Sequence, residues 1–196
     1  MARQAYLCFE PYGEDEQAYA WSTRLVPDNC EDEVIDLLME IRRRGALYDG
    51  DPEAAFSAVQ NALVLVNAER YYRAMVRSDA NSWNVRAEHM ADTLDRLMDF
   101  HGADAKSIVW AHNTHVGDAR YTDMARTGML NIGQLARNRH SEEGVVLAGF
   151  GSHRGSVIAG REWGAPMERL PVPEALHPLH IQPRQISPPD TYPWGI

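Results

Sequence analysis

No C-x-x-C pair, no lysine and arginine cluster that offers a footprint for a phosphate backbone and no apolar run long enough to span a bilayer occurs in these 196 residues, and each absence removes a class of protein. Cysteine is limited to Cys8 and Cys30, without zinc-ligand spacing or the density of a disulfide-stapled scaffold. That usage predicts two buried free thiols in a reduced, cytoplasmic protein. The 19 basic residues are outnumbered by 28 acidic ones, giving a formal charge of -9. With no basic patch to answer a phosphate backbone, nucleic acid is not an expected partner. The N-terminal MARQAYLCFEPYGEDE meets acids before its apolar stretch attains the length of a secretory core, so neither a signal peptide nor a membrane anchor is expected. Internal repeats and low-complexity tracts are missing as well.

What is present has globular proportions, 44% hydrophobic and 24% charged, enough for one domain or the larger part of one. Val34, Leu37, Leu38 and Ile41 recur at helical spacing over residues 31–48, behind Asp28 or Asn29 as N-cap and three acids in the first turn. Pro52 suits the first position of a longer helix reaching about Arg77, with Phe56, Val59, Leu63 and Val66 on one stripe and Tyr71 and Tyr72 in core or rim packing. A third helix is predicted from about Ser82 to His101, closed by Gly102. Beyond it, 107–111, 145–150 and 157–159 read as apolar strands, with a short helix over 131–139 between the first two. Helices alternating with apolar strands predict a layered α/β fold with a largely parallel sheet. The seven prolines from Pro171 onward break all periodicity, so no element is assigned there.

The stretch WAHNTHVGDAR, residues 110–120, puts two imidazoles, an amide, a carboxylate and a guanidinium at the carboxyl end of a predicted strand, the usual ligand-facing edge of an open sheet. His112 and His115 would point to opposite faces in extended backbone, and a turn at Asn113 would let them converge. One neutral imidazole could then act as general base on a water, its tautomer fixed by Asp118 or another carboxylate. Two other readings stand beside this one: hydrogen-bonded structural histidines, and a metal site shared with Asp118. The H-E-x-x-H helical frame is absent. In WNVRAEHM, helical spacing sets Arg86 and His89 on one face with Met90 turned to the core. Arg86 could hold a carboxylate or a developing oxyanion, or make a surface pair with Glu88 or Asp79. GFGSHRG, residues 149–155, is neither a nucleophile elbow nor a dinucleotide loop, since Ser152 follows Gly151 directly and Arg154 occupies the last glycine's position. Its glycines mark a turn, with His153 a candidate for the cleft of His112.

Six blocks in order, RQAYLCFEPYGEDEQAY, SWNVRAEHM, VWAHNTHVGDARYTDM, NIGQLARNRH, GFGSHRGSVIAG and WGAPMERLPVP, resemble the erythromycin esterase family from about Arg3 to about Pro173. The resemblance implies a three-layer α/β/α domain and water attack on a carboxylic ester or macrolactone by a histidine base, with no serine nucleophile. It implies catalytic roles for His112 and His115, supporting ones for Arg86 and His89, a small ester or lactone as substrate, and no cofactor; Asn113, Asp118 and His153 join the supporting residues from the reading of the loops alone. Ala87 departs from the aspartate usual after the arginine. The family's first-half threonine-histidine-glycine block, which supplies the principal base, occurs nowhere here. Residues 1–173 are therefore expected to form a partial domain with an incomplete sheet and impaired activity, followed by a Pro-rich irregular tail over 174–196. Open strand edges would favour self-association or a complementing chain. The alternatives are a non-catalytic remnant binding a small ligand or partner, and a metal-dependent hydrolase using His112, His115 and Asp118.

Overall fold

The computed structural model describes residues 2–26, 28–45, 51–77, 79–151, 154–161 and 165–172. Seven α-helices and one two-stranded ribbon are formed among them: α1 (Ala2–Phe9), α2 (Glu16–Leu25), α3 (Glu31–Arg44), α4 (Pro52–Met75), α5 (Asp79–His101), α6 (Asn113–Val116), α7 (Ile132–Arg139), β1 (Gly155–Ala159) and β2 (Glu168–Val172). The described residues are thus mostly helical. The described residues up to Leu147 form one compact unit and those from Ala148 to Val172 belong to a second.

In the first unit α4 is the central helix, with α2, α3 and α5 all packed on it. It starts where the sequence says it should: Asp51 accepts the Ala54 N–H at 2.9 Å and Pro52 fills N1, where a missing donor costs nothing. Because neighbours press on it from several sides, Phe56, Val59, Leu63 and Val66 are each half-buried and its fully buried positions are Ala62, Glu69 and Ala74. Phe56 stacks on Phe100 with centroids 4.3 Å apart, and Arg96 Nε donates to Gln60 Oε1 at 2.8 Å, joining α5 to α4. α3 buries Val34, Leu37 and Leu38 as its spacing predicts, and Glu31, Asp32 and Glu33 lie at its positive end. Its cap position is Cys30, one residue beyond the expected one, while Asn29 Oδ1 still accepts the Glu31 N–H. Gly102 ends α5 at φ 92°, a conformation that favours glycine.

Glu69 is only 2% exposed, so its charge must be answered inside the protein. Arg73 does so through Nε at 3.0 Å and Nη2 at 3.1 Å, and the Tyr19 hydroxyl adds a third bond at 2.8 Å. Tyr19 in turn accepts the Cys30 N–H, and Arg73 reaches Glu31 at 2.6 Å, so one polar network ties α2, α3 and α4 together. The thiols expected to be free are not: Cys8 and Cys30 are joined as a disulfide. α1 and α3 pack together, and their approach brings two cysteines 22 residues apart to a Cα separation of 5.9 Å, within bridging range.

Among the described residues the only sheet is β1–β2, antiparallel, with Ser156 opposite Pro171 and Val157 opposite Leu170. The strand read at 157–159 is therefore real and two residues longer, and β2 was not foreseen. Pro171 is tolerated because each strand of a two-stranded ribbon has an open edge that needs no donor. The segments 107–111 and 145–150, expected as buried parallel strands, carry no strand pairing, and Ile108, Trp110 and Val146 are exposed. An apolar run becomes a strand only beside another strand, and none is provided here. The Pro-rich tail, Ser152, His153 and residues 46–48 of the first predicted helix lie outside the described residues.

Candidate active site

His112 caps the single turn of α6, its backbone at φ -61° and ψ 147°, and its Nδ1 accepts the Thr114 N–H at 3.2 Å. The Thr114 hydroxyl lies 2.9 Å from the same nitrogen. With Nδ1 occupied as an acceptor, the neutral ring carries its proton on Nε2, a tautomer assigned from these partners. The turn at Asn113 places His112 at the cap and His115 three positions into the helix, on neighbouring positions of one face. The turn at Asn113 on which the sequence made convergence conditional is present, and the charge of His112 acts on His115. Asn113 itself is exposed at the first position.

His115 lies flat on Trp83 of α5, ring centroids 5.0 Å apart and planes within 4°. Burial first, then the charges of Arg86 and His112, push its imidazole below the ordinary histidine range, so the neutral base is favoured. Arg86 stands over the Trp83 ring at 5.0 Å and over Tyr71 at 6.0 Å, and among the described residues it makes no ion pair. A pair with Glu88 is not among these contacts, and the Asp79 side chain lies outside what the structure describes. His89, one turn further along α5, is half-buried and also lowered, by burial and then Arg96, with Asp92 opposing. Its charged neighbours are therefore different from those of His115.

Asp118 does not orient either histidine. It caps the following 3-10 turn (Ala119–Tyr121) and receives Arg120 through the backbone N–H, Nε at 2.9 Å and Nη2 at 2.6 Å, with Arg137 at 3.7 Å. Burial would raise its carboxyl, but these bonds hold it below the usual carboxylate range. Among the described residues no three His, Cys, Asp or Glu side chains converge as a metal site. The expected grouping of His112, His115 and Asp118 as ligands therefore lacks its geometry.

Three residues without an assigned role in the sequence hold this arrangement. Trp83 donates its indole N–H to the Leu130 carbonyl at 2.6 Å, and next to it Asn84 accepts the Leu130 N–H at 2.7 Å and donates to Gly128 O. Asn131, 1% exposed, caps α7 at Gln134 N, accepts the Ala119 N–H at 3.3 Å and donates to Thr114 O at 2.9 Å. One amide thus joins the histidine turn, the Asp118 turn and α7. Gly133 lets the backbones meet: a Cβ there would fall well inside contact distance of Gly117 O and Val116 O. His153 lies outside the described residues.

A histidine turn braced by a tryptophan, with an arginine beside it, offers imidazole for proton transfer and a cation for charge stabilisation. The chain belongs to the erythromycin esterase family, which it matches over residues 1–179. That membership points to a hydrolase with an esterase-type domain. No solved structure matches it.

Proposed function

We propose that the protein is a carboxylic-ester hydrolase acting on an ester or macrolactone by histidine-assisted water attack, as in macrolide resistance. His115 takes a proton from water, the hydroxide adds to the carbonyl carbon, and collapse of the tetrahedral intermediate expels the alkoxide, which regains that proton. His112 donates its Nε2 proton as a hydrogen bond to the developing oxyanion, and Arg86 adds positive charge to the same region. The carrying observation is the stacked, neutral-favouring seat of His115 one turn from His112. His89, Asn113, Asp118 and His153 remain supporting residues, with Asp118 acting through Arg120 and the loop's shape.

The three-layer α/β/α architecture and full activity would need strands beside 107–111 and a base of the threonine-histidine-glycine type, so these 196 residues alone are expected to turn over slowly. A complementing chain or a second copy laid along Ile108 and Val146, 91% and 93% exposed, would cover that apolar surface. A cytoplasmic setting stays part of this reading, although the Cys8–Cys30 bond removes the reduced-thiol ground for it. No described helix is long and apolar enough to cross a membrane.

The test is ester and macrolactone hydrolysis by the chain itself, in which the first-half base is missing and His115 is the base proposed. His115→Ala should lower kcat by about 100- to 10,000-fold, the usual weight of a general base. His112→Ala should lower it by about 100-fold, the weight of one oxyanion donor. Unchanged turnover in both variants would remove the site.

A further inference from the structure

A cavity of about 210 Å³ opens between α2 and α4, and none of its walls comes from residues 83–139. Its lining includes Phe9, Tyr12, Tyr19, Leu65 and Tyr72. Three of the rings meet at steep angles, like the sides of a box: Phe9 and Tyr19 have centroids 5.1 Å apart and planes at 65°, Tyr12 and Tyr19 5.3 Å and 77°. The phenol oxygens are already engaged. Ser22 Oγ donates to Tyr12 Oη at 3.0 Å, and Tyr19 Oη donates to Glu69 while accepting the Cys30 N–H. Tyr72, raised first by burial and then by the Glu16 charge, also hydrogen-bonds that carboxylate. Rings fixed by their polar ends leave carbon and π-electron surface for an occupant, with little ordering left to do on binding.

The charges around the cavity have one sign. Glu14, Asp15 and Glu16 are exposed lining residues, and none is in an ion pair with a described residue. Glu69 also lines it, but its charge is answered by Arg73, and among the described residues the lining holds no lysine, arginine or histidine. Such a site repels anions. A neutral apolar molecule would gain nothing from the carboxylates, and a hydrated metal ion nothing from the rings. A cation wearing an apolar shell uses both, through ring quadrupoles and through opposite charge.

We propose that this cavity is a binding site for a small organic ammonium, a methylated or alkylated amine, whose alkyl shell lies against Phe9, Tyr12, Tyr19 and Tyr72 and whose charge is met by Glu14 and Glu16. The site is independent of the histidine turn and stands or falls without the esterase reading.

Choline provides the probe, and its uncharged carbon isostere 3,3-dimethylbutan-1-ol the control, each titrated into the whole chain at low salt by calorimetry and by line broadening of its own methyl resonance, N-methyl for choline and tert-butyl for the isostere. Choline should bind one saturable site with Kd on the order of 1 mM or tighter. The isostere should bind about 10-fold more weakly, and added salt should weaken choline alone. The double variant Glu14→Gln, Glu16→Gln changes only exposed side chains, and its helicity and melting serve as the folding control. It should lower choline affinity about 10-fold and leave the isostere unaffected. Equal binding of choline and isostere would show a merely apolar hollow. That result, an absence of saturable choline binding, or an unaltered double variant would each overturn the proposal.

Discussion

Protonating His115 would put a second cation beside Arg86 in a place partly withdrawn from water, and that is measurable at the level of one ring. Its imidazole resonance should titrate below the ordinary value of 6.5, and Arg86→Gln should move the midpoint back up. An unmoved midpoint would mean that burial and His112 set it without Arg86. The same shift has a consequence for stability with a definite sign. In the unfolded chain the ring binds its proton more readily, so the contribution of His115, and of His89 with it, is complete above pH 6.5. It is lost as pH falls from there through the folded value. Asp118 follows the same rule lower down, its contribution present above 3.8 and lost as pH falls below it. Urea denaturation should therefore show a first decline in the slightly acidic range, smaller in His115→Gln. Elsewhere, Glu69→Ala should cost about 3 to 5 kcal/mol, since it leaves the Tyr19 hydroxyl and part of the Arg73 guanidinium buried without their partner. A loss under 1 kcal/mol in the same assay would show that Glu31 takes over the arginine.

At the scale of elements, the joint at Asn131 makes the sharper forecast. Asn131→Ala removes a helix cap and strands the buried Ala119 N–H, a loss of about 2 to 4 kcal/mol when the two effects are combined. Gly133→Ala must displace backbone and should cost about 1 to 3 kcal/mol, with broadened His112 and His115 resonances as its signature. Normal stability in either would mean that the turn and α7 are not rigidly joined. The sequence disclosed α3, α4, α5 and α7 because their caps and spacing are local signals. It did not disclose α1 and α2, which are short and pack on α3 and α4, elements distant in sequence. Residues 107–111 misled for the opposite reason: an apolar run signals a wish for burial, not the neighbour that would grant it. Within the site, His112 and His115 could be found by their spacing. The Trp83 face that receives His115 could not, because stacking over 32 positions of sequence leaves no periodic trace.

For the whole molecule, exposed apolar surface at Ile108 and Val146 predicts association that rises with protein concentration. Light scattering should report it, and Ile108→Lys with Val146→Lys should suppress it; a strictly monomeric parent would remove the expectation. The Cys8–Cys30 bond closes a segment with a sequence separation of 22, and replacing both cysteines by serine should cost about 3 kcal/mol by the chain-entropy relation. Unfolding with and without reductant measures it. That same bond changes what a backbone cut can accomplish. A protease entering anywhere between Cys8 and Cys30 would open the chain yet release nothing, because the short N-terminal piece stays fastened to the rest. On a gel without reductant the nicked protein would run as one band, and the scission would come to light only when thiol is added.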